Sequence, residues 1–166
     1  MNKKVVVFSQ LDQDVLQRLQ AQYHVVVINP KQGDVNEQIR EQVKDADAMI
    51  GAGRLLNESN LATAQQLKII SSVSVGYDNY DLAYLNQRKI WLTNTPHVLT
   101  ETTADLAFTL LMSAARKVPY LDQWTKQGHW QRTVGEAQFG HDIFGKTLGI
   151  IGLGNIGAAV ARRGFY

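Results

Sequence analysis

Cysteine is absent from the 166 residues. That excludes a disulfide framework and any thiolate metal site, and it fits a reducing compartment. An excess of one charge is missing too: 17 Lys and Arg stand against 15 Asp and Glu, for a formal charge of +2. With no basic block in the chain, nucleic-acid binding has no electrostatic footprint and is not expected. Long apolar runs are also lacking. The N-terminal "MNKKVVVFSQ" carries two lysines but only a short apolar run before Ser9, too little for a signal-peptide core, and no stretch approaches the ~18 apolar residues of a membrane span. A cytoplasmic protein with no membrane partner and no metal is the expectation. What the chain does have is hydrophobic side chain, 45% of its residues, enough for a real core. Its length suits one ordinary domain, or one small domain and part of another.

Up to about Asn94, short β-branched runs alternate with polar-faced helical segments. Lys4–Ser9, His24–Asn29, Asp47–Ala52, Leu67–Ser72 and Lys89–Asn94 are continuous and apolar, as strands buried on both faces are. The intervening "DQDVLQRLQAQY", "VNEQIREQVKDA", "NESNLATAQQ" and "YDLAYLNQR" suit crossover helices, with Asn57 and Asn60 as cap-type residues and Pro30 and Gly33 marking a break. The pattern predicts an α/β fold, a five-stranded parallel sheet with helices on both faces.

After Pro96 the pattern changes to one long helix, Thr100–Lys117, with polar and acidic groups in its first turn (Thr100, Thr103, Asp105). Its apolar residues surround most of the circumference, which predicts burial between two partners. A Gly-punctuated arm from about Tyr120 to Phe144 follows, with Trp124, Trp130 and Phe139 in a polar setting, a composition suited to a subunit or domain contact.

The C-terminal "KTLGIIGLGNIGAAVARRGFY" reads as strand (Leu148–Ile151), glycine turn and helix. Gly152, Gly154 and Gly157 have the spacing G-x-G-x-x-G, a weak signal alone that this context strengthens into a dinucleotide fingerprint. Gly152 would make the tight turn, Gly154 would let the backbone approach a pyrophosphate, Gly157 would let helix and strand meet, and the helix N-terminus would offer N–H groups to the anion.

Three further constellations stand at strand ends. In "SSVSVGYDNYD" (Ser71–Asp81) the amides of Val75 and Gly76 suit a carboxylate, with Gly76 giving close approach or positive φ; the plainer reading is a turn in which Asp78 caps the next helix. "NTPHVLTETTAD" (Asn94–Asp105) is a hinge candidate, where Thr103 either donates to a ligand or merely serves the helix terminus. Arg54, at the end of the third strand, either meets an anionic substrate or is a surface arginine. His24, His97, His129 and His141 read as structural or surface residues, because none has an acidic partner identifiable from sequence.

Taken in order, "ISSVSVGYDNYD", "TNTPHVLTETTADLAFTLLMSAARK" and "KTLGIIGLGNIG" closely resemble the D-isomer-specific 2-hydroxyacid dehydrogenase family, on the side of the bacterial glyoxylate/hydroxypyruvate (2-ketogluconate) reductases. The resemblance covers essentially the whole chain. It implies a flavodoxin-like substrate-binding domain over 1–99, an interdomain helix and dimerisation arm over 100–146, and the start of a truncated NAD(P)-binding Rossmann domain over 147–166. The chain is then an N-terminal portion of a homodimer or higher oligomer. The resemblance also implies that the backbone at Val75 and Gly76 holds the substrate carboxylate, that Leu99 and Thr103 line the nicotinamide, and that Asn155 and Ile156 contact the pyrophosphate.

By the same resemblance, the parent enzyme reduces a small 2-oxo acid by hydride transfer from NADH or NADPH, NADPH being favoured for a reductase. The family's catalytic arginine, its glutamate–histidine pair and its ribose-reading residue fall beyond Tyr166. No catalytic residue and no turnover are therefore expected of the chain itself, while the helix Thr100–Lys117 and the strand Leu148–Ile151 should need covering by another chain or by non-native packing. A nucleotide-sensing interaction protein of the same architecture is the alternative. A receiver-like domain lacks its acidic cluster here and leaves the glycine motif unexplained. Phosphoglycerate, formate and phosphite dehydrogenases share the architecture, but Val75 offers no cation for an inorganic substrate.

Overall fold

Three consecutive valines, Val5–Val7, are the residue type that a pleated, two-sided environment selects, and they make up the last three residues of the first strand. The computed structural model describes residues 3–165, and the chain forms two compact units, Met1–Pro96 and His97–Tyr166.

In the first unit, β1 (Lys4–Val7), β2 (His24–Val27), β3 (Ala48–Gly51), β4 (Ile69–Ser72) and β5 (Trp91–Thr93) make one sheet, parallel throughout. The strand order β2-β1-β3-β4-β5 is that of flavodoxin-like doubly wound folds. Helices α1 (Gln13–Gln20), α2 (Val35–Gln42), α3 (Glu58–Leu61) and α4 (Leu82–Gln87) connect the strands in turn. Each strand is shorter than the apolar run that predicts it, although flanking residues still bond across the sheet, Phe8 N to Ile50 O at 3.0 Å and Ile28 N to Val7 O at 2.8 Å.

Register decides what each face buries. Val6, Met49, Ile70 and Leu92 lie in one row across the sheet and join Ile39, Val43, Leu56, Leu61 and Leu85 in the core. Each such buried side chain contributes roughly 1.5–3 kcal/mol. The neighbouring row, Val5, Ala48, Ile69 and Trp91, lies on the other face, and exposure rises along it from 6% at Val5 to 75% at Trp91. Right-handed crossovers explain the difference. The step from β1 to β2 runs opposite to all later ones, so α1 alone falls on that face while α2, α3 and α4 share the other.

Side-chain caps fix three helix starts, each worth about 1 kcal/mol: Asp34 accepts from Glu37 N at 2.8 Å, Asn57 from Ser59 N at 3.1 Å and Asp81 from Tyr84 N at 3.0 Å. Asn60 is no cap; it is buried inside α3. Nor does Asp78 cap the following helix, since Asp81 does.

The second unit contains α5 (Thr100–Ala115), α6 (Val118–Lys126) and α7 (Asn155–Arg163). Helices α5 and α7 pack together, and each buries one alanine completely, Ala104 and Ala159. Arg162 meets Glu101 at 2.7 Å, and Arg163 meets Asp105 at 2.6 Å and Glu101 at 3.0 Å. The two carboxylates hold the Arg163 guanidinium above its ordinary pKa, Asp105 first.

Two expectations are corrected here. The long helix stops at Ala115 rather than Lys117, because Lys117 turns left-handed (φ 56) and Pro119 opens α6 within what the sequence presents as an irregular arm. Leu148–Ile151 is not a strand: a strand exists only through a ladder, and no described segment pairs with it. Within this chain helix α5 buries Ala104. Among the described residues no helix is long and apolar enough to cross a membrane.

Candidate functional site

The carboxyl ends of parallel strands are where open α/β sheets present ligand-binding loops. After β4, the loop from Val73 to Tyr77 is shaped by side chains that occupy its carbonyls. Asn94 Nδ2 donates to Val75 O at 2.9 Å, and Ser74 Oγ donates to Gly76 O at 2.7 Å while lying 2.7 Å from Ser72 Oγ. Val73 N donates back to Gly51 O and Thr95 N to Ser74 O, both at 2.9 Å. The carbonyls of residues 74, 75 and 76 are thus engaged, whereas the N–H groups of Val75 and Gly76 donate to no atom among the described residues. Two consecutive amides of a held loop, without acceptors, are what an anion-binding turn presents. Gly76 is not in the positive-φ region, so of its two expected roles only close approach remains; a Cβ there would meet Asp78 Oδ1 at 3.1 Å.

Arg54 follows β3, the strand next to β4. Its carbonyl accepts from Asn79 Nδ2, which ties it to the turn just beyond the Val73–Tyr77 loop. Its half-buried side chain lines a separate cleft of about 750 Å³ with Ser9, Gln10, Asn29 and Gln32. Another groove, about 700 Å³, runs beside edge strand β5 between Tyr77, Leu82 and Trp91, with Lys89 and Asn94 also in its lining.

In the second unit the glycine motif is an irregular turn leading into α7. Gly152 has φ +90, and a Cβ on Gly157 would overlap the Gly152 carbonyl oxygen. These two glycines have reasons inside the chain: one turns the backbone, the other admits it. Gly154 does not. It precedes α7 with φ −79 and ψ −163, and a Cβ there would meet nothing within 4 Å. The space in front of Gly154 and the first amides of α7, which lack intrahelical acceptors, form a cradle of the kind a pyrophosphate fills. Asn155 Nδ2 lies 3.4 Å from His97 Nδ1, a donor–acceptor pair when the ring proton is on Nε2. Leu99, half exposed, immediately precedes α5, and Thr103 N donates to Leu99 O at 2.9 Å.

Each unit therefore gathers its own candidates. The first brings Val75, Gly76 and Arg54 to adjacent strand ends, with Arg54 facing a different cleft; the second gathers Leu99, Thr103 and the residues from Gly152 to Gly157. Sequence reading misses Ser74 and Asn94, which shape the loop, and sets aside His97, which reaches the glycine turn across 58 positions. Two serines clustered at a strand end are a usable signal for such a loop; nothing local signals His97.

A flavodoxin-like parallel sheet followed by a glycine-rich turn that opens a later helix defines the class as α/β, doubly wound in its first unit. The comparisons narrow it. The D-isomer specific 2-hydroxyacid dehydrogenase catalytic domain matches residues 5–161, and the chain belongs to that family. It is 37% identical over 166 residues to the glyoxylate/hydroxypyruvate reductase B of Citrobacter koseri, covering 100% of this chain and 51% of that protein. It is also 37% identical over 163 residues to a Dictyostelium discoideum protein named "Probable 2-ketogluconate reductase", covering 98% and 49%. Among solved structures, the NADPH-dependent glyoxylate/hydroxypyruvate reductase of Sinorhizobium meliloti, in complex with NADP and malonate, superposes with a TM-score of 0.79 at 32% identity, covering 98% of this chain and 50% of the other. The chain spans about half the length of the curated relatives it matches.

Proposed function

We propose that this chain is the substrate-side portion of an NAD(P)H-dependent reductase of small 2-oxo acids. The observation that carries the reading is the loop after β4, whose carbonyls are taken by Asn94 and Ser74 while the amides of Val75 and Gly76 have no acceptor among the described residues. A substrate carboxylate supplies the missing acceptor, and the held carbonyls keep the amides aimed at it without reorganisation. Leu99 and Thr103 line the nicotinamide, and Asn155, Ile156 and the backbone around Gly154 hold the pyrophosphate.

The residues present fit that cofactor, since Gly154 leaves open the volume a Cβ would fill. The nicotinamide, when bound, supplies the hydride. This chain's part is binding and orientation. The family resemblance assigns the proton donor and the substrate-polarising arginine to positions outside Met1–Tyr166, so the 166-residue chain alone binds and does not turn over.

Amide spectra of the isotope-labelled chain test the reading. Pyruvate should shift the Val75 and Gly76 signals, and NADPH or inorganic pyrophosphate those of Asn155–Gly157. Pyruvate shifts confined to other loops would sink the substrate assignment, and reductase activity in the purified chain would sink the division of labour.

A further inference from the structure

Among the described residues, three other than glycine hold a positive φ: Lys89, His97 and Lys117. Two of them have a local reason. Lys89 and Lys117 stand one residue past the C-caps of α4 and α5, where a left-handed residue ends a helix. Lys89 N donates to Asn86 O at 3.1 Å and Ile90 N to Leu85 O at 2.9 Å, the paired bonds of a Schellman motif, and Lys117 N donates to Ala114 O at 3.2 Å. His97 ends no helix. It follows Pro96 with φ 68 and opens the second unit, in the turn that leads to α5. Proline followed by a left-handed residue is the pair at the centre of a type II turn, a place for glycine or asparagine. Glycine would take this φ without strain; any other residue there is uncommon and persists because its surroundings hold it.

What histidine adds over glycine is the ring. Its Nδ1 lies 3.4 Å from Nδ2 of Asn155, and Asn155 is the first residue of α7, next to Gly154. An amide nitrogen only donates, so Nδ1 accepts, with the ring proton on Nε2. The Asn155 side chain makes no other hydrogen bond among the described residues, which leaves its second Nδ2–H open. The far end of α7 is tied to α5 by the ion pairs of Arg162 and Arg163, and His97 supplies a tie at the glycine end.

We infer that His97 is a positioning residue of the pyrophosphate cradle: by accepting one N–H of Asn155 it fixes that side chain so that the other N–H donates to an anion in front of Gly154. The inference rests on the proposed reading of the glycine turn as the pyrophosphate site, a turn that lies inside the family match over residues 5–161. A free asparagine side chain loses rotamer freedom when an anion binds, whereas one already held does not, and affinity gains by the difference. His97 touches no ligand atom in this role. It acts through Asn155, and its left-handed backbone serves to aim the ring.

The test titrates the isotope-labelled 166-residue chain with inorganic pyrophosphate and with NADPH, following the amides of Asn155–Gly157 and the Nδ2 protons of Asn155. Both probes should shift all of these signals in the wild type. Two variants separate the ring from the turn. His97→Gly removes the acceptor and relieves the positive φ, so its urea midpoint should hold or rise while pyrophosphate binds roughly three- to tenfold more weakly, the effect of one hydrogen bond. In His97→Asn the acceptor Oδ1 is bonded to Cγ, as Nδ1 is in histidine, and asparagine accepts a left-handed φ; affinity should return to within about twofold of the wild type. A His97→Gly chain that binds pyrophosphate as tightly as the wild type overturns the inference and leaves the cradle standing. So does a weakened affinity that His97→Asn fails to restore, because the acceptor is then not what holds the site. No response of Asn155–Gly157 to either probe in the wild type overturns the cofactor reading, and the inference with it.

Discussion

At the scale of single residues, the glycine motif separates into positions the fold needs and one it does not. A Cβ on Gly157 would collide with the Gly152 carbonyl, so Gly157→Ala must displace either the turn or the first turn of α7, at a cost of roughly 1–3 kcal/mol for a forced overpacking. Gly154→Ala meets open space at a negative φ and should change stability by no more than about 0.5 kcal/mol, yet it should remove the pyrophosphate response of Asn155–Gly157. Urea unfolding of the two variants, together with the amide titration, checks this; equal destabilisation would show that Gly154 serves the fold and not a ligand. Tyr80 makes a different point. Its hydroxyl is buried in the first unit without a hydrogen-bond partner among the described residues, and an unsatisfied buried hydroxyl is a net cost. Tyr80→Phe should therefore be neutral or stabilising by up to about 1 kcal/mol in urea melts, and a clear loss of stability would mean that the hydroxyl has an acceptor.

At the scale of elements, the ion pairs between the start of β1 and the start of β3 set a pH dependence. Asp47 takes Lys3 Nζ at 2.8 Å and Lys4 N at 2.9 Å, and these bonds, that of Lys3 first, hold its carboxyl below the usual range. Lys4 lowers that of Asp45 likewise. A carboxylate whose folded pKa lies below its unfolded one contributes stability above the unfolded value, and that contribution is lost as pH falls through the folded value. The chain should weaken as pH falls below about 4, and Asp47→Asn should be the less stable protein at neutral pH, with the difference shrinking in acid. A gap that widens in acid would reverse the assigned sign. The five strands of the first unit are legible because each is a buried apolar run, a signal carried by the residues themselves. Leu148–Ile151 has the same composition and forms no strand, since pairing is a property of two segments and sequence displays one. Helix α6 is hidden by Pro119, which punctuates a chain when read alone and starts a helix when it falls in the first turn. The glycine turn and the Val75–Gly76 loop are visible as patterns. The bonds of Ser74, Asn94 and His97 that shape them are not, because they run from side chains to partners that only the fold brings near.

At the scale of the whole molecule, the composition of α5 and its surroundings disagree. A helix apolar around most of its circumference is stable in water only when covered, yet Leu106 and Leu110 are 58% and 59% exposed, one turn apart on one stripe. Val118 and Tyr120 at the start of α6 are about half exposed too. Apolar residues concentrated on consecutive helices mark an association surface more than a solvated one, and a stable interface needs ~1,000 Å² or more of buried surface, which two helices and an aromatic arm can supply. The homodimer or higher oligomer that the family resemblance implies therefore predicts concentration-dependent self-association of the isolated chain in sedimentation velocity. Leu106→Glu combined with Leu110→Glu should shift it to monomer: the exposed positions hold nothing in the core, so the fold should survive while a desolvated interface would not tolerate two carboxylates. A wild-type chain that sediments as a single monomer at every concentration would show that this surface stays in water, and the dimer reading would fall with it.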